Sequence, residues 1–182
     1  MSDTTKVLTS KPVFNAKLFQ VNEEEILYPT GRKVIHHNVV RKPTVSIFPI
    51  TENYELYLVS EYRYMLSKTI LSAAAGFMDR DAEKPLETAK REAKEELGII
   101  AHQWEQLANV TLGSSVLKTE SYLFLARDIE FGEQELEEDE QIEVVSIPLE
   151  EAVAKVMLGE INNSATMIGI LMLDKLKKEK KI

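Results

Sequence analysis

The chain has 182 residues, with 30 acidic against 22 basic side chains, a formal net charge of -8 and no cysteine. That length suits one well-buried core rather than two independent ones, and the acidic balance argues against a nucleic-acid backbone or an anionic membrane surface as the main partner. Absence of cysteine excludes disulfides, thiolate catalysis and cysteine metal ligands.

The N-terminal MSDTTKVLTSKP has no apolar signal core, and no run of about 18 apolar residues occurs anywhere, so a cytoplasmic protein is expected. From Val13 to Val40 short alternating segments, Lys17–Val21, Glu25–Tyr28 and Lys33–Val40, predict a small β-meander with a turn at Pro29-Thr30-Gly31. Thr44–Ile50 and Glu55–Ser60 read as a hairpin around Thr51–Tyr54. A loop and a helix follow, then strands at Gln103–Thr111, Glu120–Ala126 and Ile142–Ile147. Two C-terminal helices, Leu149–Leu158 and Ser164 to about Lys178, are separated by Gly159–Asn163. Strands and helices do not alternate regularly, which predicts an α+β fold rather than a doubly wound parallel sheet. There is no internal repeat.

The helix in the middle carries the chemistry. Pro85 suits a first turn, where its missing N–H costs nothing, and Gly98 suits the left-handed residue that ends a helix, so the helix spans Pro85 to Leu97. Leu86, Ala89, Ala93 and Leu97 form an apolar stripe for the core. Glu92, Glu95 and Glu96 stand at i, i+3 and i+4, which projects three carboxylates from one face. Like charges at that spacing repel by roughly 0.2–0.5 kcal/mol per pair, and a hard divalent cation compensates them. Taken alone, REAKEELG is a solvated face in which Arg91 pairs with Glu87 or Glu95.

The surrounding frame favours chemistry. Glu83, Arg91, Glu92, Glu95, Glu96, Gly98 and Ile99 fall in register on G-x5-E-x7-R-E-U-x-E-E-x-G-U, where U is aliphatic, and the stretch resembles the box of the Nudix hydrolases. Six residues instead of five separate Gly76 from Glu83, so either the loop is one residue longer or Ala82 takes the usual glutamate position. The order 39-VVRKPTV-45, 60-SEYRY-64, 74-AAG-76, 137-EEDEQIEV-144 and 159-GEI-161 is similar to the ADP-ribose pyrophosphatase and nucleoside diphosphate sugar hydrolase branch.

The resemblance implies a mixed β-sheet sandwiched between helices. A small N-terminal antiparallel β-domain over residues 1–41 would serve in dimerisation, exchanged with its twofold partner, and a hydrolase domain would span 42–182. It implies Mg²⁺, or Mn²⁺, held by Glu92, Glu95, Glu96 and the carbonyl of Ala75. Arg91 would orient a catalytic glutamate, and Arg63 would contact substrate phosphates, against the reading of a strand-end arginine paired with a carboxylate. Glu92, Glu95, Glu138 and Glu140 are the candidate bases or additional ligands, whereas Glu133, Glu135 and Glu137 read as solvated loop.

The implied reaction is metal-dependent hydrolysis of the pyrophosphate bond of a nucleoside diphosphate linked to a second moiety. ADP-ribose or another nucleoside diphosphate sugar is the substrate expected, and neither nucleic acid nor membrane is a partner. Two features depart from the branch. Ser72-Ala73-Ala74-Ala75-Gly76 stands where it reads E-L-P-A-G, and Thr111–Val116 lacks the proline usual beyond the box. A GDP-mannose-type substrate and a non-catalytic nucleotide-sensing module therefore stay open. His36, His37 and His102 lack metal-ligand spacing.

Overall fold

The computed structural model describes residues 4–80, 82–136 and 141–182. The described chain divides into two compact units, one of residues 1–43 with 111–120 and one of residues 44–110 with 121–182.

The first unit is a meander of β1 (Lys6–Asn15), β2 (Phe19–Leu27) and β3 (Lys33–Arg41), antiparallel throughout. Beside it runs the start of β8 (Leu117–Phe131), parallel to β3 with Val39 opposite Leu117. Its buried side chains among the described residues are Asn22, Ile26 and Thr119. Asn22 accepts from Gln20 Nε2 and donates to Asn38 Oδ1 at 3.4 Å, so even that small interior is partly polar. All ten residues of β1 are exposed, which is why alternation in the sequence did not reveal it as a strand. β2 is continuous through both predicted segments, Lys17–Val21 and Glu25–Tyr28.

The second unit holds the core. β4 (Thr44–Pro49) runs parallel to β8, with Val45 opposite Tyr122, and β7 (Ile99–Gly113) pairs with β8 as well. β5 (Glu55–Arg63) lies between β6 (Lys68–Ser72) and β9 (Ile142–Pro148), antiparallel to both. The predicted hairpin of β4 with β5 is corrected here. The two strands belong to different sheets and meet at the turn, through hydrogen bonds between Thr51 and Glu55 and a bridge between Ile50 and Leu56. Thr44–Pro49 is buried on both sides, as a strand in the middle of a core must be.

Side-chain alternation along these strands separates two packing faces. Val45 and Ile47 of β4, with Val59 of β5, join Ala89, Ala93 and Leu97 of α1 (Pro85–Leu97) in one apolar cluster that Phe124, Ala126 and Ile142 complete. The opposite face meets α2 (Leu149–Met157) and α3 (Ser164–Lys178), where Phe48 of β4 packs against Gly169. Helices thus cover a mixed strand layer from both sides, an α+β arrangement. α1 ends as expected, with Gly98 at φ 63°, and α3 starts on Asn163, whose Oδ1 accepts from Thr166 N at 3.1 Å.

A Cβ built on Gly169 would lie 2.0 Å from the Phe48 ring. We expect Gly169→Ala to destabilise the chain by about 1–3 kcal/mol through overpacking. Adding Phe48→Leu should recover at least 1 kcal/mol of the loss relative to additivity in urea unfolding. Additive losses would show that the close approach does not constrain the core.

Candidate active site

α1 presents its acidic face to the segment that follows β6. Residues 74–76 lie beside β4, where Ile47 N donates to Ala74 O and Val45 N donates to Gly76 O, each at 2.9 Å. Ala75, between them, turns the other way and donates its N–H to Glu96 Oε2 at 2.9 Å. In extended backbone the N–H and C=O of one residue share a side, which leaves the Ala75 carbonyl facing the helix. Glu92 approaches the next residue so closely that a Cβ on Gly76 would sit 1.9 Å from its carboxyl carbon. Any larger residue at position 76 would have to displace the Glu92 carboxylate. Two carboxylates one turn apart therefore converge on two consecutive backbone units, and both residues are almost fully buried, at 8% and 5% exposure.

Arg91 organises the remaining acids. Its Nη1 lies 2.6 Å from Glu92 Oε1 and 2.7 Å from Glu95 Oε2, its Nε donates to Glu83 Oε1 at 3.3 Å, and Nη2 reaches Phe77 O at 3.5 Å. The planar fork of a guanidinium is what allows one cation to serve three carboxylates. Burial works against its charge, yet the hydrogen bond it donates to Glu83 and the fields of Glu92 and Glu95 raise its pKa well above the ordinary arginine value. Protonation is therefore constant over every accessible pH, and Arg91 acts as a fixed positive strut.

Glu83, whose role the longer loop left open, is drawn into the cluster. It accepts from Arg91 and from the buried Thr88 Oγ1 at 3.0 Å, while Ala82 absorbs the additional residue at φ 61°. Thr88 was not among the expected site residues. A hydroxyl one turn into a helix reads as ordinary filler until the loop brings a carboxylate to it.

Three carboxylates, Glu83, Glu92 and Glu95, meet two guanidiniums here, those of Arg91 and the exposed Arg80, whose Nη2 is 3.5 Å from Glu95 Oε1, and Glu96 stands beside them on the Ala75 amide. Among the described residues no three acidic or imidazole groups yet converge as a ready-made cage, because Arg91 draws Glu92 and Glu95 to itself. The donor set nevertheless fits a hard divalent cation. It is all oxygen, two of its carboxylates face adjacent backbone units, and negative charge is in excess.

The segment after β8 supports the helix end. Gly132 N donates to Gly98 O at 2.7 Å, Glu135 N to Glu95 O at 3.0 Å and Gln134 Nε2 to Glu96 O at 2.6 Å, so external donors satisfy carbonyls of the last turn. Lys94 pairs with Glu135 on the surface at 2.8 Å. Glu138 and Glu140 lie outside the described residues. Arg63 ends β5, with its Nη2 2.7 Å from Glu61 Oε2. Tyr57 and Val59 pack with the α1 cluster, so the period of two carries Glu61 and Arg63 toward that same face. The three histidines are dispersed, His36 near Tyr28, His37 near Glu23 and His102 near Glu130.

A family model, the NUDIX domain, matches residues 40–166. The chain belongs to the Nudix family. It is a Nudix pyrophosphatase, and the matched span contains every described residue of the acidic site. An ADP-ribose pyrophosphatase of Bacillus subtilis (strain 168) is 28% identical over 91% of this chain and 90% of its own length. The methanol dehydrogenase activator of Bacillus methanolicus is 27% identical over the same shares. A crystal structure of an ADP compounds hydrolase superposes with a TM-score of 0.84 over 98% of this chain and 97% of the other, at 22% identity, and confirms the fold.

Arg91→Gln should lower stability by about 3 kcal/mol, because it strands carboxylates in a largely buried cluster. Lysine at 91 should recover only part of that, since a point charge cannot fork. Chemical unfolding at neutral pH checks both. A loss below about 1 kcal/mol for Arg91→Gln would mean that the cluster does not depend on the guanidinium.

Proposed function

We propose that the chain hydrolyses, with Mg²⁺ or Mn²⁺, the pyrophosphate bond of ADP-ribose or another nucleoside diphosphate sugar, giving a nucleoside monophosphate and a sugar phosphate. The observation that carries this reading is the convergence of Glu92 and Glu96 on Ala75 and Gly76 beside an arginine-held Glu95. Support for the substrate class comes from relatives aligned over most of both chains, among them ADP-ribose pyrophosphatases of Bacillus subtilis (strain 168) and Mycobacterium tuberculosis. For ADP-ribose the products are AMP and ribose 5-phosphate.

In this reading Glu92, Glu96 and the Ala75 carbonyl hold the cation, with Glu95 as a further ligand or the partner of a water. A bound divalent ion supplies charge neutralisation of the diphosphate and a more acidic water. Arg91 keeps Glu92 and Glu95 aimed. Arg63 contacts a substrate phosphate after exchanging its partner Glu61 for it. Glu138 or Glu140 takes a proton from the attacking water, with Glu92 and Glu95 as the other candidate bases. Ser72 and Ala74, in place of the usual carboxylate and proline, remove two constraints beside the site, and this keeps sugars other than ribose in play.

We expect Glu92→Gln and Glu96→Gln each to reduce turnover of ADP-ribose, or of the best substrate in a panel of nucleoside diphosphate sugars, by about two orders of magnitude or more at saturating Mg²⁺. Near-native turnover in a folded variant would remove that carboxylate from the site. Wild-type binding without turnover of any panel member would favour the sensing module instead.

A second copy of the chain is the proposed partner of the first unit. Val7, Leu8, Val13, Phe14, Phe19, Ile35 and Val116 are all exposed there over a thin, partly polar interior, and such a sheet needs an apolar face covered to be stable. Light scattering should give a dimer for the full chain, and deletion of residues 1–40 should give a monomer or aggregates with weak substrate binding. A soluble, active dimer after deletion would exclude this assembly.

A further inference from the structure

Both oxygens of Glu95 are engaged by guanidinium groups, and the two contacts are unlike. Oε2 accepts from Arg91 Nη1 at 2.7 Å, and Arg91 is also tied to Glu83 and Glu92. Oε1 accepts from Arg80 Nη2 at 3.5 Å, the outer limit of a hydrogen bond, from a side chain 60% exposed. An exposed pair at that separation is weak and readily exchanged. Close by, Glu83 N donates to Arg80 O at 3.3 Å, and the Glu83 carboxylate is held by Arg91 and Thr88. Arg80 is thus a loosely held cation beside the arginine-bound part of the cluster.

On this reading of the site, a diphosphate must approach a surface with an excess of carboxylates. A guanidinium at the rim offers it a planar pair of donors, a stronger partner than one carboxylate oxygen at 3.5 Å. We propose that Arg80 is a substrate-contact residue. It rests on Glu95 in the free protein and transfers to a phosphate oxygen of the bound diphosphate, which releases Glu95 Oε1 for a cation or a water. The assignment rests on the proposed diphosphate chemistry and adds to it a residue in the lengthened loop. Its consequence has two signs, because a positive charge at Glu95 opposes cation binding and favours anion binding.

The test uses the full-length chain, with Arg80→Gln and Arg80→Lys. Calorimetric titration of the free protein with Mn²⁺ should show affinity about threefold tighter in Arg80→Gln, a gain that shrinks in high salt. Titration with inorganic pyrophosphate at saturating Mn²⁺ should show affinity about tenfold weaker, with a similar rise in KM for ADP-ribose. Arg80→Lys should fall between wild type and Arg80→Gln in both, with unfolding midpoints unchanged. Unchanged binding of both probes, or weaker binding of both, would overturn the proposal, the second by showing general damage to the site. If wild type fails to hydrolyse ADP-ribose yet the opposed shifts occur, the substrate reading falls and Arg80 keeps its role. Hydrolysis by wild type without opposed shifts discards Arg80 alone.

Discussion

The constraint on which the site depends is the fork of Arg91 among Glu83, Glu92 and Glu95. Each of those carboxylates is partly or largely removed from water, and repulsion among them would open the loop or rotate the helix unless a cation stood between them. Arg91 supplies that cation from within the same helix, so the geometry exists before any ligand arrives. Its charge does not titrate in any accessible range, so the positive centre of the cluster is permanent. Glu96, beyond reach of the fork, is anchored by the Ala75 N–H. Glu92 belongs to both halves of the site, held by Arg91 and set against Gly76.

The strands serve this arrangement by fixing where those two backbone units lie. Ala74 and Gly76 are bound to β4, and β4 is buried on both faces between the α1 cluster and the helices behind it. A shift of the strand would move the Ala75 amide away from Glu96. At the other end of α1, donors from Gly132, Gln134 and Glu135 finish the helix, so Glu95 and Glu96 sit in a turn clamped from both sides. Cavities of about 410 and 420 Å³ occur elsewhere, near Tyr54 and Arg127 and near Tyr28 and His36, and neither borders these carboxylates. Charge and backbone placement distinguish the site.

Much of this was legible in the sequence because the signals were local. Pro85, Gly98 and the stripe of Leu86, Ala89, Ala93 and Leu97 define α1 to the residue, and the spacing of Glu92, Glu95 and Glu96 follows from helical geometry alone. Asn163 and the break at Gly159 place α3 for similar reasons. Pairing partners were not legible. An apolar run such as Thr44–Pro49 announces burial but not the strand beside it, so its pairing with β8, some 75 residues away, was misread as a hairpin with its neighbour. β1 carries no alternation of burial, and β6 has only five residues, too few for a period to stand out. In the site, Thr88 and Arg80 acquire meaning only through loop closure, which brings a carboxylate to each.

The metal site stands or falls on whether a cation sits where the buried carboxylates meet residues 75 and 76. A crystal of the wild-type chain soaked in Mn²⁺, measured at a wavelength where manganese scatters anomalously, locates the ion without reference to activity. The expected result is a peak at about 2.0–2.3 Å from carboxylate oxygens of Glu92 and Glu96 and from the Ala75 carbonyl. Manganese bound elsewhere on the chain while those oxygens stay on Arg91 and on the Ala75 amide would contradict it.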